Sequence, residues 1–215
     1  QYNTIYYITL HHTTQSKMYE THIVWSTFIS SILSFLGCTM MVLYYLYFPA
    51  DRAVAHVFCL WLGICGIGLA STTFIIVDEI KTGDILCIIF PMIEDYFILC
   101  GSFTTVIIAI RVKKIIFQDM GCLQLSDQHL RYYFAFIWGL PLILVLLPLT
   151  TGSYGKNDDD FYCFLKHDRD GKQLENIIAK IWLVMAFYVP ILLSMFTIIV
   201  IYSQCIRQLN VIQQV

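Results

Sequence analysis

The strongest constraint on the fold of this chain is an apolar run of 26 residues, Ile85 to Ile110, which contains only two charged side chains. A transmembrane α-helix needs about 20 predominantly apolar residues, so this run is long enough to cross a bilayer. Its two charges are the adjacent acids Glu94 and Asp95. Cys87 lies near its start, and a basic cluster follows its end: Arg111, Lys113 and Lys114. The run therefore predicts a transmembrane helix with a chemically unusual middle.

Composition places the whole chain in the same class. Apolar residues make up 58% of the chain and charged residues 13%, whereas soluble domains carry about 25% charged residues. The apolar residues also fall in long blocks, which is typical of an integral membrane protein. The sequence predicts an all-α, integral membrane helical bundle with five transmembrane helices, the third of them central. Their predicted bounds are 23–48, 54–77, 85–110, 132–150 and 181–206.

The segments outside these spans are polar. Residues 1–21 are predicted to form a short outer N-terminal tail, residues 22–207 the five-helix bundle, and residues 208–215 an inner C-terminal extension. The start of the chain, at Gln1, lacks the basic, apolar and small-residue segments of a secretory signal. We therefore expect either a processed start or a piece of a longer gene product.

Lysine and arginine do not orient the bundle, because their numbers on its two sides are nearly equal. The cysteines are more informative. Four cysteines lie well inside the spans and two on the side of the basic cluster: Cys38, Cys59, Cys65, Cys100, Cys122 and Cys205. The two others, Cys87 at the start of the third span and Cys163, lie on the opposite side. Because disulfides persist in oxidising compartments, a bond between them would place that side, with the N-terminus, outside and the C-terminus in the cytoplasm. The alternative is two unpaired thiols.

The adjacent acids are the main candidate site. An ionisable side chain at membrane depth costs at least about 2.5 kcal/mol, so it normally faces a cavity or a partner. Glu94 shares a helix face with Cys87, two turns earlier, whereas Asp95 points about 100° away. We predict that one acid lines a ligand or ion cavity near the outer end; the alternative is a protonated carboxyl hydrogen-bonded to a neighbouring helix. With no Lys or Arg at this depth, the natural partner is a cationic ligand, a proton or a polar network.

The basic cluster at Arg111, Lys113 and Lys114 fits two roles. It is a candidate inner-face contact for a heterotrimeric G protein. The simpler interpretation is a stop-transfer cluster that meets the anionic headgroups of the lipid bilayer, because nearly any membrane helix can end in this way.

Enzyme signatures are missing from the sequence. HExxH, GxSxG, P-loop and GxGxxG patterns do not occur, so we predict a non-enzyme without catalytic residues or a cofactor. The acidic run Asp158–Asp160 lacks the alternating ligands and the closing Glu of a calcium loop, so no metal site is predicted. No basic face indicates a nucleic-acid partner.

Helices four and five carry short motifs in a recognisable order. They are Trp138-Gly139-Leu140-Pro141-Leu142, Leu147-Pro148-Leu149, Tyr154-Gly155, Tyr162-Cys163-Phe164, Phe187-Tyr188-Val189-Pro190 and Ile201-Tyr202. With the very short first loop and the cysteine that opens helix three, this order resembles the cyclic-AMP-receptor-like family of seven-helix G-protein-coupled receptors. The resemblance covers residues 24–210.

The resemblance implies a receptor-like protein, seen through its first five helices, that sits in the plasma membrane. It would bind an unknown small-molecule ligand from outside and signal through a G protein. The cavity would lie between helices three and five, with Tyr188 beside the two acids. Tyr162 and Phe164 would contact the ligand from the outer loop, at positions where that family usually has tryptophans.

Two other functions fit the same residues. One is a structural subunit of a large membrane assembly, with other membrane subunits as partners and no signalling. The other is a proton or ion carrier that uses Glu94 and Asp95. Neutralising both acids separates the carrier from the rest, because transport would vanish while surface display survives.

Overall fold

The computed structural model describes the backbone of residues 2–48, 54–75, 85–117, 127–156, 163–165 and 173–213. Its side chains are described over 25–48, 57–72, 85–86, 88–117, 129–154 and 177–210. Three helices are regular: α1 (Tyr2–Tyr47), α2 (Val54–Ile75) and α3 (Leu86–Phe117). The other two helices are each interrupted by a π-helical segment. Helix α4 runs from Asp127 to Thr150, with α-helix over Asp127–Phe134 and Leu140–Thr150 and a π-helical segment at Ala135–Gly139. Helix α5 runs from Gln173 to Gln213, with α-helix over Gln173–Trp182 and Val189–Gln213 and a π-helical segment at Leu183–Tyr188.

The helices have the length and polarity that a bilayer requires. Four described stretches are long and apolar enough to cross a membrane: Trp25–Tyr47, Ile88–Phe117, His129–Thr150 and Ile177–Asn210. In α2 the corresponding stretch is shorter, Val57–Thr72. Large apolar side chains also cover the outside of the bundle, as expected for a surface that faces lipid tails. The prediction of a helical membrane bundle is confirmed.

Several helices extend beyond their predicted ends. α1 is continuous from Tyr2, so the predicted N-terminal tail is helical; its place outside the bilayer stays a prediction. α3 continues to Phe117, which places the basic cluster on its last turns, and α5 runs from Gln173 to Gln213. The polar residues at these ends contain no helix-breaking Pro or Gly, so helical hydrogen bonding continues past the apolar runs.

α3 lies at the centre of the bundle, since it packs against α2, α4, α5 and both strands of a small hairpin. One core cluster joins α2, α3 and α4 and is largely aromatic: Phe58, Trp61, Phe103, Ile107 and Ile137. A second cluster joins α3 to α5 through Ala109, Ile201 and Cys205. Among the described residues, α3 contributes a side chain to each of the three buried clusters, the third of which contains Leu99, Val145 and Tyr154. A change in α3 would therefore disturb its packing against α2, α4 and α5.

Glycines on α2 allow α1 and α3 to approach closely. A Cβ at Gly66 would overlap the Cys38 thiol of α1, and a Cβ at Gly68 would overlap the Phe97 ring of α3. In lipid, where apolar side chains gain nothing by leaving their surroundings, such close backbone packing is a main source of helix association.

Each π-helical segment precedes a proline. Pro141 cannot donate to Ile137 and Pro190 cannot donate to Ala186, and each proline ring would also clash with that carbonyl. Both carbonyls fall inside the π-helical segments. The wider turn accommodates the missing hydrogen bond, so both prolines are kept within spanning helices.

A glycine ends α4 and turns the chain back over the bundle. Gly152 adopts a left-handed conformation, with φ at 62°, which glycine tolerates because it lacks a Cβ. The Gly152 amide donates to the Leu149 carbonyl at 3.1 Å, and the Ser153 amide donates to the Pro148 carbonyl at 3.1 Å. This Schellman arrangement satisfies the last carbonyls of the helix and sends the next residue, Tyr154, back towards α3.

The loop between α4 and α5 contains a two-stranded antiparallel hairpin, which the all-α prediction did not include. β1 (Tyr154–Lys156) pairs with β2 (Cys163–Leu165), with Gly155 opposite Phe164. Both strands pack on α3. The aromatic residues Tyr154 and Phe164 favour extended structure, and α3 supplies the surface that a hairpin of this size needs to be stable.

Candidate ligand-binding site

A small cavity lies where α3, α4, α5 and β1 meet. Its interior has about 10 Å³ open to a water-sized sphere, room for about one water molecule, and about 190 Å³ when the open space at its mouth is counted. Two of its lining residues are polar, Asp95 and Tyr154, and the others are apolar: Leu99, Leu144, Val145, Pro148, Ala186 and Phe187. A polar pair within apolar walls is the usual composition of a small-molecule site.

Asp95 is buried in the bundle, with 3% of its surface exposed. It lies nine residues into α3, about 14 Å along the helix from its start. Its Oδ2 atom accepts a hydrogen bond of 3.3 Å from the Tyr154 hydroxyl, and its Oδ1 atom has no hydrogen-bond partner. Because an unsatisfied buried oxygen is costly, Oδ1 is the atom at which an occupant of this cavity would gain most.

Tyr154 reaches Asp95 from the other side of the cavity. Its side chain is 2% exposed and packs against Leu99 and Val145. The hydroxyl is also 3.4 Å from the Val145 carbonyl oxygen, a second acceptor for its proton. Burial, together with the negative charge of Asp95, raises the pKa of Tyr154, so the hydroxyl keeps its proton and remains a donor to the carboxyl group.

Glu94 does not line this cavity. Its side chain is half-buried, and it leaves α3 about 100° from Asp95. No hydrogen bond to it occurs within the part of the chain that the structure describes. The two adjacent acids therefore occupy different environments, as their helical spacing predicted, and only Asp95 is enclosed by α4, α5 and the hairpin.

The residues of α5 that line the cavity are not the predicted one. Tyr188 is 48% exposed and does not line the cavity. Its ring instead packs edge-on against Phe187, with ring centroids 5.5 Å apart. Ala186 and Phe187 line the cavity in its place. The π-helical segment, which changes the direction of side chains along α5, contains all three residues.

The predicted outer-loop residues lie on or next to β2. Cys87 is in the first turn of α3 and Cys163 begins β2, which packs on α3. The side chains of both cysteines and of Phe164, like the whole of Tyr162, lie outside the described parts of the chain. The disulfide and the two ligand contacts therefore stay predictions.

The basic cluster lies at the other end of α3. Arg111 and Lys113 are half-buried, and Lys114 is exposed. The Lys113 ammonium group lies 5.8 Å from the centroid of the Phe117 ring, within the range of a cation–π interaction. Contact of this cluster with a partner protein stays a prediction.

Sequence reasoning missed Tyr154 and Phe187 as site residues. Tyr154 is 59 residues from its hydrogen-bond partner Asp95, so no local pattern links them. The one local signal was Gly152, whose position after an apolar run indicates a helix end followed by a sharp turn. Phe187 was noted within a motif, but its direction depends on the π-helical segment.

Known proteins resemble the chain in sequence pattern and in fold. Residues 52–214 match the model of a family described as 7 transmembrane receptor (rhodopsin family). Among solved structures, the chain is similar to squid rhodopsin, with a TM-score of 0.60 and 16% sequence identity. The similarity covers 87% of this chain and 57% of the squid protein. No curated protein sequence matches the chain.

Proposed function

Because the chain belongs to the rhodopsin family of seven-transmembrane receptors, we propose that it binds a small-molecule ligand from the outer side of the membrane and signals through a G protein. The observation that carries this proposal is the cavity at Asp95, which lies beneath the β1–β2 hairpin and has a carboxyl oxygen without a partner. Membership of this receptor family is shown by the match over residues 52–214.

α3 offers a physical connection between the two ends of the molecule. From Asp95 to Arg111 is 16 residues of continuous helix, or about 24 Å. Because this helix contacts α2, α4 and α5 along its length, a ligand that moves its outer half would also alter the packing near the basic cluster. That cluster is the proposed contact for the G protein, and Glu94 remains a second proposed anchor for the ligand.

The proposed orientation has the N-terminus and the hairpin outside and the C-terminus in the cytoplasm, in the plasma membrane. Single cysteines introduced within residues 1–20 or 166–172 should react with an impermeant maleimide on intact cells. Cysteines introduced within 118–126 should react only after permeabilisation. Labelling of the last set on intact cells would reverse the orientation.

The resemblance to cyclic-AMP-receptor-like receptors stays a prediction. It is supported by the order of the motifs in helices four and five. The described lining of the cavity includes an acid but no Lys or Arg, which argues against an anionic ligand such as cyclic AMP at this position. We therefore propose a cationic or hydrogen-bond-donating ligand.

The test is signalling by the full-length protein in cells that carry G-protein dissociation sensors. A panel of small amines, alcohols and nucleotides would be applied to the wild-type protein and to Asp95→Asn, Glu94→Gln and Ile143→Ala. Ile143 is 59% exposed on the lipid-facing side of α4 and serves as the control. A response that one acid variant abolishes, at unchanged surface display, supports the proposal. A response unchanged in both acid variants would exclude the acids as ligand anchors.

One observation favours a second candidate, a proton carrier. A buried carboxyl group with one free oxygen can exchange a proton with an occupant of the cavity. Proton flux into liposomes that contain the purified protein would test this, and flux that survives Asp95→Asn would contradict it.

A further inference from the structure

Two buried thiols meet where α2 packs against α3. Cys65 is 3% exposed and Cys100 is 0% exposed, and both are free thiols. The Cys65 thiol donates a hydrogen bond to the Cys100 sulfur. The two helices are also close at this level, because a Cβ placed on Gly101, the next residue of α3, would lie 3.8 Å from the Cβ of Cys65. The two sulfurs therefore face each other across the contact between α2 and α3.

A neighbouring thiol changes what the oxidation of a cysteine leads to. A sulfenic acid without a thiol beside it stays as such or goes on to irreversible products, whereas one in contact with a thiol condenses to a disulfide. Sulfurs that already share a hydrogen bond need only side-chain rotation and a small helix shift to reach the disulfide bond length of about 2.05 Å. Cys65 and Cys100 are therefore placed to form a disulfide when one of them is oxidised.

The position of the pair decides which oxidants can reach it. Cys100 is the thirteenth of the 30 residues of the membrane-spanning stretch Ile88–Phe117, near its middle. Gly101 is half-buried, so part of its surface is open at the outside of the described bundle. Beyond its own turn of α3, the Cys65 Cβ is the one described atom within 4 Å of the place where a Cβ on Gly101 would stand. This opening lies at membrane depth, so the oxidant must be one that dissolves in the bilayer.

We propose that Cys65 and Cys100 form a reversible redox site whose oxidant is an organic hydroperoxide dissolved in the bilayer. The Cys65 sulfur, which is the more exposed of the two, takes the terminal oxygen of the hydroperoxide and becomes a sulfenic acid, and an alcohol leaves. The Cys100 thiol then attacks the Cys65 sulfur, so that the disulfide forms and water leaves. In total the two thiols lose two electrons and two protons, and the hydroperoxide is reduced to an alcohol and one water molecule. A dithiol reverses the reaction by thiol–disulfide exchange.

The pair is connected to a third helix through Tyr96. The Tyr96 hydroxyl donates a hydrogen bond of 3.2 Å to the Trp138 carbonyl oxygen, which lies in the π-helical segment of α4. The same hydroxyl is within hydrogen-bond range of the Cys100 sulfur. A disulfide would join α2 to α3 covalently and move the sulfur that the Tyr96 hydroxyl contacts. Oxidation of the pair would therefore alter the contacts among α2, α3 and α4.

The experiment treats the full-length protein in lipid nanodiscs with one of two oxidants. Cumene hydroperoxide dissolves in the bilayer, whereas tetrathionate carries two negative charges and stays in the water. Remaining thiols are then blocked with N-ethylmaleimide in denaturant, and the unreduced protein is digested and mapped by mass spectrometry. Cumene hydroperoxide is expected to produce a disulfide between Cys65 and Cys100 that dithiothreitol removes, and tetrathionate is expected to leave both thiols reduced. An equal yield with tetrathionate would overturn the route through the bilayer.

Other thiols of the chain supply the controls. Cys59 is exposed on the outside of the bundle, so its oxidation in the same sample shows that the hydroperoxide has acted at the protein. If Cys59 is oxidised while Cys65 and Cys100 both stay reduced, the redox site is disproved. Cys38 lies on the other side of α2, where a Cβ on Gly66 would overlap its thiol. A disulfide between Cys38 and Cys65 would overturn the assignment of the partner.

Variants test the pair and the opening separately. Cys65→Ser and Cys100→Ser should each lose the disulfide, and the matched variant Cys38→Ser should keep it. Gly101→Ala should keep the fold, because its new Cβ makes an ordinary contact of 3.8 Å, and should lower the rate of disulfide formation by narrowing the opening. An unchanged rate would refute this opening as the route. If a serine variant does not fold, the map of the wild-type protein still decides which sulfurs are joined.

Discussion

The hydrogen bond between Tyr154 and Asp95 should contribute to the stability of the bundle, and Tyr154→Phe isolates it. This substitution removes one oxygen and keeps the ring, which is buried against Leu99 and Val145. No cavity is created in the apolar packing, so the loss is confined to the polar contact. The substitution thus tests whether the hydrogen bond to Asp95, and not only apolar packing, holds the hairpin against α3.

The magnitude follows from the geometry. The two contacts of the hydroxyl, 3.3 Å to Asp95 Oδ2 and 3.4 Å to the Val145 carbonyl, are longer than the usual range of about 2.5–3.0 Å for hydroxyl donors. Such long bonds contribute at the low end, near 0.5 kcal/mol each, but the substitution also leaves both carboxyl oxygens of Asp95 without a partner, which costs about 1 kcal/mol or more. We expect a loss of about 1–2 kcal/mol in the free energy of unfolding.

The assay is unfolding of the purified protein by titration with a denaturing detergent in mixed micelles. A double-mutant cycle with Tyr154→Phe and Asp95→Ala gives the coupling between the two side chains, expected to be about 1 kcal/mol. Tyr132→Phe is the matched control, because Tyr132 is 66% exposed, and it should change stability by less than about 0.5 kcal/mol. A coupling within about 0.3 kcal/mol of zero would refute the reasoning, since it would mean that the two groups act independently.

Three other perturbations test different parts of the fold by the same titration. Gly68→Ala should destabilise by about 1–3 kcal/mol, because its new Cβ overlaps the Phe97 ring, whereas Gly37→Ala meets no atom within 4 Å and should be neutral or stabilising; equal effects would contradict the packing. Gly152→Ala should cost about 1–2 kcal/mol, since φ at 62° strains a residue with a Cβ, and no loss would exclude this origin. If Cys87 and Cys163 are bonded, reduction or Cys163→Ser should lower stability by about 2–4 kcal/mol; free thiols in protein prepared without reductant would disprove the bond.

The site was only partly readable from the sequence. The chemistry of Asp95 was visible, because a carboxyl group within an apolar run must find a partner or a cavity. The 100° separation from Glu94 was also visible, since it is a local property of the helix. Which acid is enclosed was not, because that depends on where α4, α5 and the hairpin lie around α3. Tyr188 was predicted to line the cavity, whereas Phe187 lines it. The difference arises because the π-helical segment rotates the side chains of α5.

The sequence by itself determined the helices and the class of the protein. In a bilayer the backbone has no water to bond, so an apolar run of sufficient length forms a helix whatever its neighbours are. Tertiary structure alone decided that Tyr154 bonds to Asp95, that one carboxyl oxygen is left without a partner, and that the loop between α4 and α5 contains a hairpin. These features depend on contacts between residues far apart in the chain, and helix packing in lipid is set by the fit of specific surfaces rather than by local hydrophobicity.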